Sequence, residues 1–155
     1  MIGMDFKTGA RQFFDAPKVK RAVDQATRRV FSKLGAFVRQ TARQSIRTRK
    51  RPSTPGEPPS SHVGTLKRLI FFAYDTWVKS VVIGPTIFAG AKSKGAAPEA
   101  LEHGGTERLR IKPRGRRPGR ERVVMATYAP RPFMAPAFER EKKKLPGLWA
   151  NSVKP

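Results

Sequence analysis

The sequence predicts an α+β fold, with a long N-terminal helix packed on a small antiparallel sheet of about four strands and a C-terminal helix closing the chain. Three observations predict it. Between Pro17 and Arg47 apolar or small residues recur at three- and four-residue steps. Between Leu66 and Tyr128 short β-branched and aromatic runs alternate with turn-forming residues. From Phe133 to about Val153 the helical pattern returns. The 155 residues are expected to form one domain.

The first helix is read from Val19, Ala22, Val23, Ala26, Val30, Leu34, Phe37, Val38, Ala42 and Ile46, which line one face. Asp15 suits the N-cap, and Pro17 falls in the first turn, where a missing N–H costs nothing. The opposite face carries Lys18, Lys20, Arg21, Arg28, Arg29, Lys33, Arg39, Arg43 and Arg47, so the helix is basic along most of its length. At 1.5 Å per residue it spans on the order of 45 Å. Gly35 marks a bend or a close crossing.

Beyond Arg47-Thr-Arg-Lys-Arg51, four prolines in the eleven residues 52–62 bar both helix and central strand. An extended, polyproline-like arm is expected over 48–65. Pro52, Pro55, Gly56, Pro58 and Pro59 suit a rigid spacer or an arm laid across a neighbouring subunit; a ligand for an SH3-type groove is the alternative.

Leu66–Tyr74 and Trp77–Ile83 predict a hairpin turning at Asp75-Thr76 and closed by Gly84-Pro85. Ala89–Ala97 reads as a small-residue loop, and Pro98–His103 as one helical turn stopped by Gly104-Gly105. Thr106–Lys112 and Glu121–Tyr128 predict two further strands. The Pro113–Arg120 segment between them has no apolar residue to bury, which predicts a mobile cationic tip. The C-terminal helix, 133–153, should be kinked or broken at Leu145-Pro146-Gly147.

Lys and Arg number 33 against 11 Asp and Glu, a formal charge of +22. Like charges on a compact body repel, so such an excess favours anionic partners. Nucleic acid comes first and an acidic protein surface second; a membrane surface is disfavoured because the charge is not confined to one amphipathic helix. With no Cys, disulfides, thiolate zinc sites and cysteine nucleophiles are excluded. Apolar runs fall far short of the roughly 20 residues of a spanning helix, and Met1–Arg11 lacks the order of a secretory signal. A soluble protein made in the cytoplasm is expected.

Arg108, Arg110, Lys112, Arg114, Arg116, Arg117, Arg120 and Arg122 concentrate charge on one hairpin. Guanidinium forks suit phosphate oxygens, and a loop can follow a backbone without reading bases; docking on an acidic protein is the equal alternative. His62 and His103, the only histidines, lie in separate loops without partners at metal-ligand spacing. Glu102-His103 is either an acid/base dyad or, preferably, a hydrogen-bonded turn, since no nucleophile motif accompanies it. No cofactor motif is present, and an enzyme is not expected. Phe133, Phe138, Leu145, Leu148 and Trp149 suit packing of the C-terminal helix or a partner anchor.

Three segments carry a resemblance. Thr54-Pro-Gly-Glu-Pro-Pro59 followed by Gly64-Thr-Leu66, Leu101-Glu-His-Gly-Gly-Thr106, and Arg131-Pro-Phe-Met-Ala-Pro-Ala137 with Leu148-Trp149-Ala-Asn-Ser-Val153 occur in an order that resembles the neck and tail-completion proteins of long-tailed bacteriophages. The resemblance spans about Val19 to Val153. It implies a structural virion protein at the head-tail interface: a homo-oligomeric ring, six- or twelve-fold, contacting neck, connector or tail proteins, with no catalytic site. A ring multiplies each subunit's cationic loop, so its lumen would hold packaged DNA through sequence-independent contacts. A small basic non-specific nucleic-acid-binding protein is the alternative. The Arg content of residues 108–122 departs from the family pattern.

Overall fold

The computed structural model describes residues 16–86, 97–111 and 122–153. Asp15, most of the Ala89–Ala97 loop and the cationic tip, with Lys112, Arg114, Arg116, Arg117 and Arg120, lie outside them.

Helix α1, Ala16–Ser45, runs for 30 residues and buries Ala26, Val30, Leu34, Gly35, Val38 and Ala42. Ile46, just past its end, is fully buried. The apolar stripe is longer than the buried face: Val19 and Val23 are 42% and 40% exposed. The hairpin that packs on α1 reaches it at Asp24, through a Lys79–Asp24 ion pair, and the first turns run on beyond that point.

The segment after α1 is not an extended arm. Two-residue strands β1 (Arg47–Thr48) and β2 (Ser60–Ser61) pair in parallel and close the chain between them into a loop. Its prolines bar a longer ladder, so the loop is fastened from outside. Gly56 N donates to Pro130 O at 2.9 Å and Arg131 Nε donates to Ser53 O at 3.0 Å, while within the loop Ser60 Oγ donates to Arg51 O at 2.8 Å. Ser53 and Pro59 are buried as a result.

Leu66–Leu69, expected as strand, belongs to a short helix α2, Thr65–Leu69. Gly64 at φ +77° reverses the chain, and Arg68 N closes a turn onto Gly64 O. Strands β3 (Ile70–Asp75) and β4 (Ser80–Pro85) follow as an antiparallel hairpin, with Phe72 opposite Ile83 and Tyr74 opposite Val81. The second strand starts later than expected, since Trp77 and Val78 form the turn; both donate backbone N–H groups to Asp75 Oδ1. The close-crossing reading of Gly35 is the correct one: a Cβ there would lie 2.8 Å from both Phe72 Cδ2 and Val81 Cγ2.

Helix α3, Ala97–His103, leads through Gly104 and Gly105, with φ of +75° and +140°, into β5 (Gly105–Ile111). Strand β6 (Arg122–Tyr128) pairs with it antiparallel from Gly105 opposite Tyr128 to Ile111 opposite Arg122. The four long strands do not join into one sheet, as expected, but form two separate ribbons. α3 is tied to the start of the C-terminal helices through Glu102, and the two glycines lead from there into β5.

The C-terminal segment divides into α4 (Met134–Lys142) and α5 (Leu145–Trp149). The break precedes Leu145-Pro146-Gly147, and Pro146 falls in the first turn of α5, where it lacks no needed N–H. Leu34, Val38, Ala42, Ile46, Ile70, Phe133 and Ala137 form the core, flanked by Leu66, Ile83, Met134, Leu145 and Leu148. No helix among the described residues is long and apolar enough to cross a membrane.

Candidate polyanion interface

The basic face of α1 divides into two parts. Lys20, Arg21, Arg28, Arg29 and Lys33 are exposed. Arg39 is instead built into the fold: its Nε donates to Ile70 O at 2.9 Å and its guanidinium lies 5.5 Å from the centre of the Phe71 ring.

A denser group forms where α1 ends. Arg47, Arg49, Lys50 and Arg51 are exposed, and closure of the loop brings Arg49 and Lys50 to a pocket of about 170 Å³ with Ser53, His62, Leu101 and Arg131. A neighbouring pocket of about 300 Å³, lined by Gln44, Arg47 and Glu57, shares Arg49. Arg49 Nη2 lies 3.5 Å from Glu57 Oε2. Hydrogen bonding from Thr54, helped by the Arg49 charge, holds the Glu57 carboxyl below its ordinary value.

Arg131 organises this surface. Its backbone N donates to Leu101 O at 2.6 Å, its Nε to Ser53 O, and its Nη1 to Ala129 O at 3.4 Å. One residue therefore joins the loop, α3 and the approach to α4. Sequence reasoning used Arg131 only as part of an Arg-Pro-Phe motif. Contacts so distant along the chain leave no periodic signal.

The predicted hairpin is present, and Arg108 and Arg122 on it are exposed. Arg110 stands opposite Val123 in the ladder. Val123, Val124 and Met125, successive residues on β6 and so on both of its faces, are 61%, 43% and 58% exposed. Pro52, Pro55 and Gly56 are exposed and Pro58 is half-buried. Phe133 is core, Leu148 flanks the core, Trp149 meets Phe31 edge-on at 6.1 Å, and Phe138 is exposed.

Glu102 and His103 do not form a dyad or a local turn. Both Glu102 oxygens accept backbone N–H groups of Phe133, Met134 and Ala135 at 2.8–3.1 Å. A buried carboxylate, Glu141, accepts from Thr41 Oγ1 at 2.7 Å and lies 2.6 Å from Lys144 Nζ. Sequence reasoning missed it, since a Glu on a basic helix looks like surface. No protein-family model, curated protein or solved structure matches the chain.

Proposed function

We propose that this protein is a structural subunit of a tailed-phage particle, a neck or tail-completion ring component that joins head to tail around the DNA path. The observation that carries the reading is the state of the two ribbons. β3–β4 packs one face on α1 and leaves Phe71 and Val82 43% and 64% exposed on the other, and β5–β6 leaves Val123, Val124 and Met125 open. A two-stranded ribbon is marginal by itself, and open apolar faces of this kind suit burial against neighbours. The charge of +22 adds the need for an anionic counterpart, which packaged DNA and acidic particle proteins both supply.

The role is mechanical, without catalysis. Subunits close a ring through apolar ribbon faces, while cationic loops and the exposed residues of α1 face phosphate or acidic side chains. The order of the Pro-Gly loop, the Glu-His-Gly-Gly turn and the Arg-Pro-Phe segment supports the same reading through its resemblance to neck proteins.

Light scattering on the chain eluting from a sizing column at moderate salt tests it. A discrete ring is the expected result. A monomer that binds any duplex tightly would replace the proposal with a small non-specific nucleic-acid-binding protein. Within the phage, removing Arg114, Arg116, Arg117 and Arg120 together should cause DNA leakage if they face DNA, or unjoined heads and tails if they grip protein.

A further inference from the structure

We infer that the pocket between the 49–59 loop, α3 and Arg131 is a binding site for a phosphate group. Arg49, Lys50, His62 and Arg131 bring donors to it from three separate segments, and none of the described residues lining it is acidic. The guanidinium of Arg131 is set in advance. Its Nε and Nη1 are committed to Ser53 O and Ala129 O, which fixes its plane and leaves Nη2 without a partner among the described residues. A donor held in place before binding loses little freedom on binding.

Ser53 supplies an independent observation. It is 4% exposed, it lines the pocket, and its hydroxyl has no hydrogen-bond partner among the described residues. A buried hydroxyl left unpaired is costly, and a small shift of Ser53 that lets it donate to a seated oxyanion would remove that penalty. The pocket, of about 170 Å³, has room for a phosphate group. Phosphate, with its tetrahedral set of oxygens, suits donors drawn from three segments better than carboxylate does. A planar carboxylate is satisfied by a single guanidinium fork.

The inference depends on the ring reading only for the source of the phosphate, which there would be a DNA backbone; a free phosphate has the same chemistry. The test is calorimetric titration of the full chain with inorganic phosphate, ionic strength held constant with chloride, alongside thermal unfolding in both salts. Wild-type protein should bind phosphate and melt higher in it. Arg49→Ala/Lys50→Ala should lose about tenfold or more in phosphate affinity. Lys142→Ala/Lys143→Ala, which removes the same charge from the end of α4, should keep it. Arg49, Lys50, Lys142 and Lys143 are all exposed, so both variants should fold, and melting in chloride checks this. Ser53→Ala should weaken phosphate binding while leaving the midpoint in chloride unchanged or higher.

Equal losses in the two double variants would reduce the effect to general charge and overturn the site, as would no preference for phosphate over chloride. Oligoglutamate binding through Arg49 and Lys50 that phosphate fails to displace would overturn it in favour of a carboxylate site. A short duplex identifies the source. Greater loss of duplex affinity in the Arg49/Lys50 variant than in the control supports a DNA phosphate, and unchanged duplex affinity supports a free one. Ring formation is read separately by size, so the two proposals fail independently.

Discussion

Glu102 caps the helix that opens after Phe133: its Oε2 accepts the Phe133 N–H at 2.9 Å across 31 positions of sequence. Met134 N donates to the same oxygen at 3.1 Å and Ala135 N to Oε1 at 2.8 Å. α4 needs this help because Phe133, its N-cap residue, makes no side-chain capping bond. A carboxylate at that end also meets the positive pole of the helix. α3 and α4 are thereby joined at one point, and Gly104 and Gly105 direct the β5–β6 ribbon from there.

Glu102→Ala should lower stability by about 1–2 kcal/mol, because three backbone N–H groups lose their acceptor. Glu102→Gln keeps one acceptor oxygen and loses the charge, so its cost should fall between wild type and Ala. Urea unfolding midpoints measure both. Identical midpoints for all three proteins would show that the cap contributes nothing.

Gly35→Ala should destabilise although alanine is the better helix former by about 1 kcal/mol. The new methyl meets Phe72 and Val81 at 2.8 Å on both sides, and overpacking of this kind costs about 1–3 kcal/mol. Adding Val81→Ala should restore part of the loss. A Gly35→Ala protein that melts higher than wild type would show that the hairpin yields without strain.

Stability should fall at acid pH through Glu141. Lys144 and Thr41, as hydrogen-bond donors, hold its carboxyl below the ordinary value against the opposing effect of burial. A depressed folded value means that the stabilisation is fully present above the unfolded pKa of about 4.3 and disappears as pH falls through the folded value. Thr41→Val removes one donor, so its acid-unfolding limb should shift to higher pH. Unfolding midpoints measured from about pH 6 downward check this; parallel curves for the two proteins would exclude Glu141 as the source.

The two tryptophans should report different environments. Trp77 is 94% exposed at the β3–β4 turn, whereas Trp149 packs against Phe31. Trp149→Phe should leave emission typical of solvated indole, strongly quenched by acrylamide, and Trp77→Phe should leave shielded, weakly quenched emission. Trp77→Ala should change stability by no more than about 0.5 kcal/mol. Equal quenching of the two single-tryptophan proteins would contradict the placement.

Local pattern made part of this fold legible. The three- and four-residue spacing of Ala26, Val30, Leu34, Val38 and Ala42 located α1, and β-branched runs located both hairpins within a few residues. Val19 and Val23 obey the same spacing yet stay exposed, since periodicity names a face without saying how far its cover extends. Leu66–Leu69 carried strand-like composition, but the reversal at Gly64 placed it in a helix.

The site was less legible. The cationic excess was plain in the composition, and attention fell on the Arg-rich hairpin because its charges are contiguous. The pocket formed by Arg49, Lys50, Ser53, His62, Leu101 and Arg131 draws on four stretches of chain, and no window of sequence contains them. Proline chemistry suggested an arm over 48–65, since backbone preferences are local, while the bonds closing it come from Pro130 and Arg131.

By itself, then, the sequence determined the elements and the charge, because helical spacing, strand composition and ionisable side chains act over a few residues. Tertiary structure decided which of those elements meet. It separated the strands into two ribbons, closed the Pro-rich loop, set Glu102 at the head of α4 and buried Glu141 beneath Thr41 and Lys144. Each of these is a contact between distant segments, whose free energy exists only once the chain has brought the two groups together.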